Sequence, residues 1–116
     1  MQYMILVYEP EEAYATEAGQ AFLEDVVARH MALAEELRAK GQMKDGSGLQ
    51  ESSTATTVVT KDGQQTLHDG PFAETREHLG GYYLIDVPNL DDALAIARRV
   101  PVIDGGKVEV RPLAVY

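Results

Sequence analysis

The sequence predicts an α+β domain: one antiparallel sheet with two helices packed on the same face. Three observations carry this. The order of patterned segments is strand, long helix, hairpin, strand, helix, strand. Each crossover carries a helix that can cover the same side of the sheet. And 116 residues with 45% hydrophobic content suit one compact domain over 1–116, in the usual range of about 100–150 residues.

The first strand is Tyr3-Met4-Ile5-Leu6-Val7-Tyr8. Its apolar run is continuous, as expected for a central strand. Pro10 cannot donate to a ladder and ends it. A helix is predicted from about Gly19 to Lys40. Phe22, Val26, His30, Leu33 and Leu37 recur at helical spacing, and Leu23, Val27 and Ala34 widen the stripe. Lys40 and Gly41 provide a cation near the C-terminal dipole and a residue for a left-handed cap. Lys44 to Ser53 is polar and glycine-containing and reads as a loop. Thr54 to Thr60 is β-branched, Lys61-Asp62-Gly63 signals a turn, and Gln64 to His68 returns as a second arm. Gly80-Gly81 leads into the strand Tyr82 to Val87. Asn89 is a good N-cap for a second helix, with Asp91 and Asp92 in its first turn and Pro101 beyond its end. The last strand, from Lys107 to Tyr116, alternates Val108 and Val110 with Glu109 and Arg111. This is the ferredoxin-like plan with an added strand. Its uncovered sheet face would expose apolar residues, so a partner chain, a homodimer closing sheet against sheet, is expected.

Composition narrows the chemistry. Cysteine is absent, which removes disulfides, thiolate metal sites and thiol nucleophiles. Nineteen acids against ten bases give a net charge of −9. That field repels phosphate backbones and anionic lipid surfaces, so no direct nucleic-acid or membrane partner is expected. Six acids, from Glu9 to Asp25, precede the first base, Arg29: a solvated acidic face, or a docking surface for a basic partner. The longest apolar run is far short of the roughly 20 residues of a membrane span. The opening Met-Gln-Tyr-Met lacks a basic leader region, so a cytoplasmic domain is expected.

Two groups of residues are candidates for chemistry. His30 sits in the middle of the helical stripe, where a leucine would be ordinary. Either it is a satisfied core histidine, or the stripe borders a pocket between helix and sheet. In a pocket, an imidazole with an intrinsic pKa of about 6.5 would move protons at neutral pH. The second group is the loop Asp69 to His78. Gly70 and Pro71 fix its backbone and Phe72 anchors it. It is either a rigid turn or a rigid platform presenting Asp69, Glu74, Thr75, Arg76 and His78 to a ligand. No helical zinc spacing and no phosphate loop is present, so neither metal nor cofactor is expected.

Asp69-Gly70-Pro71-Phe72-Ala73-Glu74-Thr75, followed by Leu79-Gly80-Gly81-Tyr82-Tyr83-Leu84-Ile85, resembles the DGPF-domain branch of the YCII-related proteins. Tyr3-Met4-Ile5-Leu6, Leu90-Asp91-Asp92-Ala93-Leu94 and Val108-Glu109-Val110-Arg111-Pro112 extend the resemblance over nearly the whole chain. It implies a dimeric α+β barrel of ferredoxin-like protomers. It also implies a catalytic pair, a histidine in the first helix and an aspartate just before a Pro-Phe after the second helix. His30 matches the first member, whereas Val100-Pro101-Val102 stands where the acid would be. Asp69 is then the candidate replacement. Two functions remain open. One is a small-molecule enzyme of lyase or hydrolase type, with His30 as acid or base and Asp69 orienting it. The other is a non-catalytic ligand-binding or regulatory module acting through protein contacts, a role the resemblance links to sigma factors.

Overall fold

The computed structural model describes residues 1–71 and 76–116. Its elements are β1 (Gln2–Glu9), α1 (Glu17–Ala39), β2 (Met43–Gly48), β3 (Thr56–Lys61), β4 (Gln64–Asp69), β5 (His78–Asp86), α2 (Leu90–Ala97) and β6 (Lys107–Pro112). A short 3-10 turn, Glu11–Tyr14, follows β1. The main sheet has the order β2-β5-β1-β6 with every neighbouring pair antiparallel. Each of its two helical crossovers skips one strand, which is the ferredoxin-like arrangement.

The local signals at the helix ends work as physical chemistry requires. Thr16 caps α1 by accepting the Gly19 N–H at 2.9 Å, and Asn89 caps α2 by accepting the Asp92 N–H at 2.9 Å. Gly41 ends α1 in the left-handed region, with φ 72°. The guanidinium of Arg99, just past α2, forks onto both oxygens of Glu36 at 2.5 and 2.8 Å and ties the two helices together.

Two elements differ from the sequence reading. The segment expected to be a loop contains β2, an edge strand. Nothing in Lys44-Asp45-Gly46-Ser47-Gly48 favours a strand, and its state is set by the backbone ladder to β5. The predicted hairpin exists, turning at Asp62 and Gly63, both with positive φ as a type I′ turn requires. It does not add a strand to the main sheet, however. β3 and β4 form a two-stranded sheet of their own. The hairpin and the thin sheet give overall extents of 45 × 44 × 20 Å and a radius of gyration of 15.9 Å, against about 13 Å for a compact chain of this length.

The core lies between the helices and one face of the sheet. Tyr3, Ile5 and Val7 of β1 and Tyr83 and Ile85 of β5 pack under Leu33, Ala34 and Leu37 of α1 and Ala93, Ile96 and Ala97 of α2. The opposite sheet face carries Met4, Leu6, Tyr8, Tyr82 and Leu84, all half-buried. β1 is therefore central, and its continuous apolar run serves two faces of which only one is covered by helices.

Candidate functional site

The helical stripe of α1 has two fates. Its C-terminal half, Leu33, Ala34 and Leu37, is buried in the core. Its N-terminal half, Leu23, Val26, Val27, His30 and Met31, lines a cavity of about 550 Å³ between α1 and the β2–β5 half of the sheet. The cavity floor explains the space. Gly46 and Gly48 of β2 pair with Tyr83 and Gly81 of β5. In a strand, residues two apart share a face, so Gly46, Gly48 and Gly81 share the helix-facing side with Tyr83. Three positions beneath the helix thus carry no side chain. At Gly81 none would fit, because a Cβ would lie 2.9 Å from the Ser47 carbonyl oxygen.

His30 and Tyr83 meet in the wall of this cavity. The His30 Nδ1 lies 2.5 Å from the Tyr83 hydroxyl, with ring centroids 5.8 Å apart. Burial pushes the Tyr83 phenol up to about 12, so it stays protonated and donates. The imidazole is held below its ordinary pKa of 6.5, chiefly by burial. The Glu9 charge acts in the opposite direction, Arg29 lowers the value further, and a hydrogen bond to the Pro101 backbone raises it. Proline has no N–H, so its carbonyl accepts and the ring donates. Because Nδ1 accepts from the Tyr83 hydroxyl, the proton of the neutral ring is assigned to Nε2. Glu9 also lines the cavity. Its Oε2 already accepts the Ile103 N–H at 2.9 Å and the Tyr14 hydroxyl.

The depressed His30 pKa has a consequence for stability. The unfolded chain takes up this proton at a higher pH than the folded one. The contribution is thus complete above about 6.5 and is lost as pH falls toward the folded value. The carboxylates act lower: Arg99 and Lys40 hold Glu36 to about 2, and the N-terminal amine lowers Asp86. Urea denaturation between pH 6.5 and 5 should therefore show falling stability in wild type and a flatter profile in His30→Gln. Identical slopes would contradict the assignment.

Among the described residues, none of the other predicted site residues lines the cavity with His30. Asp69 closes β4, pairs with Thr56 and is exposed, and it does not line the cavity. The reason is topological: β4 belongs to the separate hairpin, not to the sheet beneath α1. Gly70, with φ 96°, donates its N–H to Ala55 at 2.6 Å and accepts from Thr57 at 2.9 Å, which locks the hairpin base. Phe72, Glu74 and Thr75 lie outside the described residues, as does part of the Asp-Gly-Pro-Phe motif. Pro71 is half-buried and Arg76 exposed, and neither lines the cavity. His78 begins β5 opposite Glu9. Tyr83 is the partner that sequence reasoning did not assign to His30. Its signal, a tyrosine two residues after a glycine on the buried parity of β5, is visible only once the register is known. Among the described residues, no three His, Cys, Asp or Glu side chains gather to hold a metal, and no helix is long and apolar enough to cross a membrane.

Fold and site together define a class: a ferredoxin-like α+β domain with a histidine–tyrosine pair in a cavity between its first helix and a glycine-floored sheet. The chain belongs to the YCII-related family, whose domain model matches residues 1–115. A protein of Rhizobium meliloti (strain 1021), itself described as uncharacterized, is 36% identical over 121 residues, covering 100% of this chain and 94% of that one.

Proposed function

We propose that the chain catalyses proton transfer on a small molecule, of the lyase or hydrolase type, with His30 as the base. The observation that carries this reading is the His30–Tyr83 contact in a cavity wall, with burial keeping the imidazole neutral. A neutral Nδ1 accepting from a phenol is poised to receive a proton. As a ligand proton moves onto the Tyr83 oxygen, the Tyr83 proton passes to Nδ1. The resulting imidazolium is stabilised by the Pro101 carbonyl and the Glu9 charge. This route does not require Asp69, which lies on β4 outside the cavity lining.

The test is deuterium exchange in D2O over a panel of small carbon acids, followed by NMR. Wild type should accelerate exchange of at least one compound. His30→Gln should lose that acceleration by about 10²-fold or more, the usual scale for a positioned base, and Tyr83→Phe should lose most of it. Acceleration that survives His30→Gln would overturn the role of His30, and no acceleration by wild type on any compound would favour a non-catalytic binding module.

The functional unit we propose is a homodimer. The half-buried face of Met4, Leu6, Tyr8, Tyr82 and Leu84 is bordered by Lys107, Glu109 and Arg111 on β6. An apolar strip with a charged rim has the make-up of an interface. A second copy of the same sheet face would cover it by two-fold symmetry.

A further inference from the structure

We propose that the cavity admits an elongated amphipathic anion, an apolar chain ending in one carboxylate, with Arg38 holding the carboxylate. This rests on the reading of the cavity as a reaction site and adds the class of molecule it takes. Three features converge. First, the surface offered to a ligand is largely apolar or bare backbone: the floor at Gly48 and Gly81, Met43 lying over Gly46, and Leu23 and Val27 of α1. Such walls suit a hydrocarbon chain, whereas a sugar or a base would leave its polar groups unpaired. Second, Met31 and Leu49 at the rim are 68% and 50% exposed. A bound chain would cover this apolar surface.

Third, the charge is placed for an anion. Arg38 is the one cation among the described residues lining the cavity, and it makes no ion pair there. Its near neighbour Glu36 is occupied by Arg99 and Lys40. A guanidinium fork matches a carboxylate in plane and spacing. Glu35 also lines the cavity, as does Glu9, whose Oε2 accepts from Ile103 and Tyr14, so a cationic ligand is the competing outcome. His30, Ala34 and Arg38 follow at i, i+4 and i+8 on one stripe, and eight residues of helix rise about 12 Å. The carboxylate would therefore sit about that far from the group that exchanges its proton with Tyr83 and His30.

Calorimetry and amide NMR on the full chain test this with three straight-chain probes: octanoate, octylammonium and octanol. Octanoate should bind best and shift the amide signals of Gly46, Gly48 and Gly81. Arg38→Gln should weaken octanoate by about tenfold or more, as expected for losing a charge-assisted hydrogen bond, and Arg38→Lys by less. Gly48→Val should abolish binding with its melting unchanged, since a Cβ there meets nothing closer than 3.9 Å. Octylammonium binding more tightly than octanoate, unchanged octanoate affinity in Arg38→Gln, or no octanoate binding at millimolar concentration would each overturn the proposal. Octanoate affinity and the Arg38 variants read the ligand class, whereas deuterium exchange and the His30 variant read the base. The ligand class and the proton-transfer reading can therefore fail independently.

Discussion

Leu37→Ala is expected to destabilise the chain by about 2–5 kcal/mol, the range for truncating a buried leucine in a core that collapses incompletely. Leu37 is 1% exposed and belongs to the cluster where α1, α2 and the sheet meet. A total stability of about 5–15 kcal/mol is ordinary for a domain, so this one change would remove a large share of it. The same stripe supplies the control. Phe22 is the larger residue, yet it is 39% exposed, and Phe22→Ala should cost much less. Urea denaturation of both variants checks the contrast. A loss below about 1 kcal/mol for Leu37→Ala, or a greater loss for Phe22→Ala, would contradict this account of the core.

Leu6→Asp should convert the proposed homodimer to a monomer. Leu6 sits near the centre of the uncovered sheet face on the central strand β1, opposite Tyr82 on β5 and Glu109 on β6. Two-fold symmetry makes one substitution act twice. It would bring two carboxylates into an apolar contact, and desolvating a charge without a partner costs several kcal/mol. Light scattering at tens of micromolar should give twice the chain mass for wild type and the single chain mass for the variant. A wild-type chain that is already monomeric under those conditions would count against the dimer. Far-UV circular dichroism should remain native in the variant, because Leu6 points away from the helix-covered core.

The features legible in the sequence are those set by short-range chemistry. Thr56–Lys61, its Asp62-Gly63 turn and the Asn89 cap depend on residues a few positions apart, and their types specify them. The stripe on α1 identified Leu33, Ala34 and Leu37 as core and marked His30 as unusual. It did not show that Phe22 and Val27 stay exposed, because that depends on what lies beneath the helix. β2 was illegible because its glycines and polar residues form a strand only against β5. The site was half-legible for the same reason. His30 was identifiable by residue type, but Tyr83 lies 53 positions away and reaches it through sheet register. Asp69 looked plausible in one dimension because the hairpin that carries it away from α1 cannot be distinguished, by pattern alone, from an added strand of the main sheet.

The Pro101 carbonyl has one more implication. A carboxylate behind a histidine would bind the imidazolium tightly and make the resting ring a good proton donor. A carbonyl brings a dipole without a net charge. It supports the protonated form far less strongly. With burial added, the ring rests unprotonated at neutral pH and must release any proton it gains before the next cycle. On the proposed proton-transfer route, a backbone acceptor at this point biases the centre toward taking protons rather than giving them, and turnover would then depend on how quickly the imidazolium discharges to water past the exposed Met31 and Leu49.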